Sequence, residues 1–391
     1  MWLAVVLSAV AYAAAADAVG GGVWREALQN YSAVAQQQRK LGEKGRYLVA
    51  FADDYGLGNR VNVVVSSLAL AVATNRALAV VWPRVDCKRN AREFCDPTSI
   101  DDLFEPGPIA WGTNRYASKA TSHCREERSK KRKSLAHWAM ADPNDRGTAD
   151  KYNELDLDQG WRASDKVLCA YGYFYWGWCV TCNAYVRSRF GIGDGGSPWV
   201  DFGEMQSWLL KPSHAVRKRV DAILGRRPCD VGLHLRRADE VEKKKATPSP
   251  KWVKILEALL AEDPRLNLFV AADHESSKTR RRLVEIANNR GATVLVDETP
   301  ATRNSEAGIY AALAENFVLS SCEQILPRGT GASTFHDMAV ARAAFERRWD
   351  DAKIAEFALR TKEKPPRPLI SPALCSDLRP RNASRESASL S

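Results

Sequence analysis

Two stretches of this chain alternate between short apolar runs and longer segments whose apolar positions recur at helical spacing. The first occupies residues 47–82. Tyr47-Leu48-Val49-Ala50-Phe51-Ala52 is an apolar run of strand length. Val61 to Ala73 is a helix of small and aliphatic residues closed by Thr74-Asn75-Arg76, and Ala77 to Trp82 is a second strand. The second stretch starts at Cys229. Asp230 to Leu235, Leu266 to Ala272, Ala292 to Val296 and Phe317 to Ser320 predict strands. Pro250 to Ala261, Ser276 to Asn289, Ser305 to Leu313 and Ser333 to Arg347 predict the helices that follow them. Strands alternating with helices of this length imply right-handed crossovers and parallel sheets. Val23 to Gln38 predicts a helical lead-in. Residues 83–212 show no regular period, and the tail from Thr361 is proline-rich and then serine-rich, as a wrap-around or unstructured segment would be.

The pattern divides the 391 residues into an N-terminal α/β domain, 19–215, a Rossmann-like domain, 216–350, and a tail, 351–391. Two α/β halves with loops at their strand ends place a ligand in the cleft between them. Composition adds little: 45% hydrophobic and 27% charged residues are ordinary for a globular chain. The net charge of +10 favours anionic partners, but it is spread over Arg125 to Lys133, Lys243-Lys244-Lys245 and Arg280-Arg281-Arg282. These runs read as solvated faces, without zinc-finger or RNA-recognition signatures or interleaved aromatics, so no nucleic-acid partner is expected.

Residues 1–18 resemble a secretory signal peptide ending at Ala16-Asp17-Ala18, although no basic residue precedes the apolar run. A short Golgi anchor is the alternative, the run being shorter than a stable membrane span needs. The nine cysteines fit an oxidising compartment. Six of them, Cys87, Cys95, Cys124, Cys169, Cys179 and Cys182, predict at least two disulfides within 87–182, with one cysteine of the nine left over. Cys179 and Cys182 form a CxxC outside the strand-to-helix setting of a redox centre. Asn30-Tyr31-Ser32 and Asn382-Ala383-Ser384 are glycan acceptor sequences if the chain is secreted.

Candidate chemistry gathers where strands end. Asp53-Asp54-Tyr55-Gly56-Leu57-Gly58-Asn59-Arg60 joins the first strand to its helix. Glycines there permit a tight turn or close backbone approach, the helix start favours an anion, and Asn59 caps the helix or bonds a ligand. Val61 stands where a dinucleotide-binding loop needs its third small residue, and no Gly-Lys-Ser/Thr makes a P-loop. The strand at 230–235 runs into His234-Leu235-Arg236-Arg237-Ala238-Asp239. Alternation sets His234 and Arg236 on one face and Leu233, Leu235 and Arg237 on the other. The paired arginines fit a diphosphate or an internal bridge to Asp239. Asp273 ends the next strand, as a ribose or base contact or a helix cap. Ser333, Thr334 and Phe335 open the last helix, where hydroxyls and N–H groups bind phosphate or cap the helix. The Asp156-Leu157-Asp158 pair, the one candidate for a metal-holding Asp-x-Asp, lacks a strand before it and reads as surface charge, so no metal and no cofactor are expected.

In this order, GLGN before a small-residue helix, Asp-Leu-Phe-Glu-Pro after a cysteine, His-x-Arg-Arg-x-Asp, Ala-x-Asp and a late Ser-Thr-Phe resemble the GDP-fucose-dependent fucosyltransferase superfamily. The resemblance covers about residues 46–105 and 229–345. It implies a GT-B-like fold of two Rossmann-like domains facing an interdomain cleft, and metal-independent, inverting transfer of fucose from GDP-fucose. By the same resemblance Arg236 holds the diphosphate with Arg237 beside it. Asp273 contacts the guanosine, and Gly56, Gly58, Asn59, Arg60, His234, Ser333, Thr334 and Phe335 line the donor site. Asp239, Glu240 and Glu242 are candidates for the base. The expected partners are a nucleotide-sugar donor and a glycan or glycoprotein acceptor in the ER or Golgi lumen or outside the cell. Gly329-Thr330-Gly331 matches no family pattern, nor does 110–215, where acceptor specificity would reside. Acceptor and oligomeric state stay open. A glycan-binding protein without catalysis, or a transferase of another nucleotide sugar, would use the same residues.

Overall fold

A computed structural model describes residues 24–52, 56–84, 97–109, 111, 115–129, 157, 165–171, 177–191, 198–235, 250–272, 278–297, 305–326 and 334–347. The signal-like segment, the tail and the second glycan sequence lie outside the described residues. Helix α1 (Arg25–Lys40) leads through a 3₁₀ turn at Gly42–Lys44 into β1 (Tyr47–Phe51), α2 (Leu57–Ala73) and β2 (Ala77–Val81). Then come α3 (Ile100–Leu103), α4 (Arg115–Ser129), β3 (Val167–Tyr171), α5 (Trp178–Thr181), α6 (Ala184–Arg189), α7 (Pro198–Leu209) and α8 (His214–Leu224). The second half contains β4 (Val231–Leu235), α9 (Pro250–Glu262), β5 (Asn267–Ala272), α10 (Lys278–Asn289), β6 (Thr293–Leu295), α11 (Glu306–Ser321), β7 (Gln324–Ile325) and α12 (Thr334–Glu346).

Both sheets are parallel, as the alternation of elements implies. One has the order β2-β1-β3 and the other β6-β5-β4-β7. Strand period sorts the two faces of β1. Leu48 and Ala50 enter the main core, whereas Tyr47, Val49 and Phe51 pack with Ala117, Ala120 and Cys124 of α4. The same rule divides β4: Val231, Leu233 and Leu235 meet Leu256 and Leu260 of α9 and Leu283 and Ala287 of α10. A Cβ on Gly232 would press on Leu319 and Cys322, so that residue faces α11. α2 is apolar almost all round and is buried along its length. Ser66 on it accepts a hydrogen bond from the Gly177 N–H (3.0 Å).

Two expectations are corrected. Phe317 to Ser320 is not a strand but the last turns of α11. Val318 to Ser320 are buried and Phe317 is partly so, and a short apolar segment of this kind lacks the period that separates a helix from a strand. The strand that pairs with β4 is the shorter β7 just beyond it. Residues 83–212 also hold more order than their sequence shows, because β3 lies beside β1 in full register. Cys124–Cys169 ties α4 to β3 within that region, and Cys182 is also disulfide-bonded. Cys229–Cys322 joins the start of β4 to the end of α11. Among the described residues no helix is long and apolar enough to cross a membrane.

The last helix returns to the first half. α12 packs against α7 and α2, and Phe202, Met205, Val340, Ala341 and Ala344 share one core with β1 and α2. The contact is so close that a Cβ on Gly203 would lie 2.0 Å from the Ala341 carbonyl oxygen.

Candidate functional site

The helix after β1 begins four residues earlier than its apolar period suggests. Gly56 is the N-cap, in extended backbone (φ −62°, ψ 160°), and it offers no side chain to the first turn. Asn59 is therefore not the cap: it stands inside that turn, its N–H on the Gly56 carbonyl (3.0 Å). Its half-buried side chain makes no hydrogen bond with the described residues. Neither Gly56 nor Gly58 has a positive φ, so a left-handed turn is not what demands glycine here. The demand at Gly58 is space. A Cβ would lie 2.6 Å from Thr334 Oγ1 and 2.9 Å from the Phe335 nitrogen.

That approach sets the amino ends of α2 and α12 side by side. Each helix start carries N–H groups without intrahelical acceptors and the positive end of a helix dipole. Two such ends meeting at one point make a place for an anion. β4 reaches the same place from the other sheet. His234 is buried at its carboxyl end, with its ring 4.9 Å from Phe335 and 6.1 Å from His336 between centroids. It lies on the face opposite Leu233 and Leu235, as alternation requires. Three sequence-distant segments, at 56–59, 234 and 334–336, thus come together.

Arg60 goes elsewhere. It is buried, donates from Nη1 to the Pro83 carbonyl (3.2 Å), and sets its guanidinium 5.1 Å from the centroid of Trp82. Arg236, Arg237, Asp239, Glu240, Asp273 and Ser333 lie outside the described residues, as do Asp156 and Asp158, while Leu157 between those two is buried. Leu235 and Ala272 are paired at the end of the β4–β5 ladder. The carboxyl ends of β4 and β5 are therefore neighbours in the sheet.

Behind α12 lies a buried polar network that local patterns did not reveal. Asn316 of α11 donates from Nδ2 to the Phe335 carbonyl (2.6 Å) and accepts at Oδ1 from Arg342 Nη1 (3.1 Å). The Arg342 guanidinium lies 3.8 Å from the centroid of Phe317, reaches Ser320 Oγ (3.5 Å) and meets the Gln206 amide oxygen once that amide is turned to face it. The signal for it in the sequence is a polar Asn beside an apolar run, masked because Phe317-Val318-Leu319 has the composition of a strand. Among the described residues no group of three or more His, Cys, Asp or Glu is placed to hold a metal ion.

The chain is similar to several solved structures. An arginine-to-lysine mutant of FUT1 from Arabidopsis thaliana, in complex with GDP, matches with a TM-score of 0.53 at 16% identity, over 83% of this chain and 78% of that one. The chain has the fold of FUT1. This agrees with the resemblance drawn from the motifs. Fucosyltransferase NodZ from Bradyrhizobium matches at a TM-score of 0.44 and 14% identity, over 75% of this chain and 91% of that one. POFUT1 in complex with GDP-fucose matches at 0.40 and 11%, over 77% and 95%. No protein-family model and no curated protein sequence matches the chain.

Proposed function

We propose that this protein is a glycosyltransferase that moves fucose from GDP-fucose to a hydroxyl of a glycan or protein, with inversion and without a metal. The observation that carries the proposal is the meeting of Gly58, His234 and Thr334–Phe335 at two adjoining helix starts. An ordinary capped turn in each segment would not require them to touch. The fold shared with a GDP-bound protein supports the same reading.

In this proposal the donor lies in a cleft between the two α/β halves. Sugar transfer from a nucleotide diphosphate requires charge stabilisation on the departing diphosphate. The N–H groups of α2 and α12 supply part of it, with the Thr334 hydroxyl beside them. Arg236, one residue beyond the end of β4, supplies a bidentate guanidinium with Arg237 next to it. Asp273 holds the guanosine, and Asn59 contacts the diphosphate or the sugar. Asp239 or Glu240 takes the proton of the acceptor hydroxyl as the new glycosidic bond forms and the bond to GDP breaks. The disulfides Cys124–Cys169 and Cys229–Cys322 and the bonded Cys182 fit a lumenal or secreted location.

The test is a donor screen with the purified chain over GDP-, UDP- and ADP-sugars, in the presence and absence of EDTA. GDP-fucose should be turned over, with EDTA leaving the rate unchanged, and Arg236→Lys should lose most of that rate while keeping its melting temperature. Turnover of a different donor class, or rescue of EDTA-treated protein by manganese or magnesium, would overturn the proposal. A chain that does not bind GDP tightly would indicate a glycan-binding protein on this fold.

A further inference from the structure

We infer that Asn316 is a positioning residue, which sets the first turn of α12 against the donor through the backbone carbonyl of Phe335. The inference rests on reading the site as one for GDP-fucose. Asn316 is fully buried in α11, away from the Gly58–Thr334 contact, and its amide faces in two directions at once. Its nitrogen donates to the Phe335 carbonyl (2.6 Å), and its oxygen accepts from Arg342 Nη1 (3.1 Å). A carbonyl in the first turn already accepts from the residue four positions on, so the Asn316 bond is an added external tether rather than part of the helix ladder. It acts where precision matters, because the Phe335 nitrogen and Thr334 Oγ1 leave no room for a single carbon atom on Gly58.

The tether is itself held from behind. Arg342 is buried one helix face away, with its guanidinium on the Phe317 ring, Ser320 Oγ and the Gln206 amide oxygen. A fixed cation on the amide oxygen decides which way the Asn316 side chain points: the oxygen must face Arg342, so the nitrogen must face Phe335. Arg342, on α12 itself, thus orients the Asn316 amide, and Asn316 in turn holds the first turn of the same helix through the Phe335 carbonyl.

This wiring separates two roles by substitution. In Asn316→Asp the carboxylate keeps an acceptor for Arg342 but has no N–H for Phe335, and it sets a negative charge against that carbonyl. Asn316→Ser withdraws the side chain from both partners. The experiment measures GDP binding by calorimetry, steady-state kinetics with GDP-fucose, melting temperature, and amide hydrogen exchange along α12. Asn316→Asp should melt within a few degrees of wild type. It should bind GDP about tenfold or more weakly, raise KM for GDP-fucose in parallel, and leave kcat within about threefold, the pattern of lost ground-state positioning. Exchange in the first turn of α12 should quicken before it does elsewhere in the helix. If Asn316→Asp fails to fold, Asn316→Ser must show the same weakened binding and quickened exchange. GDP affinity and exchange equal to wild type in a folded variant would overturn the inference. A wild type that does not bind GDP would overturn the donor reading instead, and that failure is visible before any variant is made.

Discussion

Asn59 is the residue at which a structural and a functional role for the glycine loop separate. It does not cap α2, since Gly56 occupies that position, and its side chain has no hydrogen-bond partner among the described residues. Exchange for another small polar residue should therefore cost the fold little. In the proposed donor site the same change is costly, because there Asn59→Asp would set a charge near a diphosphate and Asn59→Ser would remove an amide donor. Both should cut GDP-fucose turnover about tenfold or more, equivalent to ~1.4 kcal/mol, with the melting temperature nearly unchanged. Equal turnover in both variants and wild type would leave this loop a purely structural part. A second residue-scale effect concerns pH. Burial pushes the Asp201 carboxyl from 3.8 up to about 7, with Arg187 opposing and Glu204 adding to the rise. Burial likewise raises Glu204 from 4.5 to about 7, opposed by the Trp24 N–H, which donates to Oε2 (3.1 Å), and by Arg25. The folded chain thus holds protons that the unfolded chain releases, so this stabilisation is present below the ordinary carboxyl range and is lost as pH rises through about 7. Stability should fall by roughly 1–3 kcal/mol between pH 6 and 8, and Asp201→Asn with Glu204→Gln should flatten the slope. Thermal melts across that range decide it, and a wild-type profile already flat would contradict the assignment.

At the scale of elements, the α7–α12 packing is the join on which the site depends, because α12 carries Thr334 and Phe335 to α2. Gly203 makes the join possible: a Cβ there would lie 2.0 Å from the Ala341 carbonyl, a backbone atom that cannot swing aside. Gly203→Ala should therefore cost about 3 kcal/mol or more, or leave no soluble protein, as overpacking against backbone does. Gly225 makes the control. It ends α8 at φ 53° with nothing within 4 Å of where a Cβ would stand, so Gly225→Ala costs only what the left-handed backbone demands, about 1 kcal/mol. Chemical denaturation of the two variants side by side should show the difference, and equal losses would mean that the helices part easily. α11 shows the reverse case, an element whose neighbours rather than its pattern determine its state. Ser320 and Ser321 donate to the carbonyls of Phe317 and Val318 (2.8 Å each), helical bonds in a run that period alone could not tell from a strand.

At the scale of the molecule, Cys229–Cys322 and Cys124–Cys169 each close a long loop across a sheet and its helices. Peptide mapping without reduction should recover both pairs, and Cys229→Ser with Cys322→Ser should lower stability by about 2–4 kcal/mol; free thiols at these positions in secreted protein would refute the pairing. The clustering of cysteines in 87–182 pointed to the first pair, whereas nothing local linked Cys229 to Cys322, which meet only because β4 and α11 pack together. The same boundary runs through the whole chain. Alternating strand-length runs and helical periods determined the α/β class, the parallel sheets and the strand ends at which chemistry gathers, because those features depend on residues a few positions apart. The glycine loop, His234 and Thr334–Phe335 were legible as separate candidates for that reason. Tertiary structure alone decided that they meet, that Gly58 is glycine because Thr334 and Phe335 press on it, that Arg60 is turned inward to Pro83 and Trp82, and that Asn316 and Arg342 stand behind the site. Each of these is a contact between segments far apart in sequence, and such a contact acquires a cost or a benefit only once folding has removed the water between them.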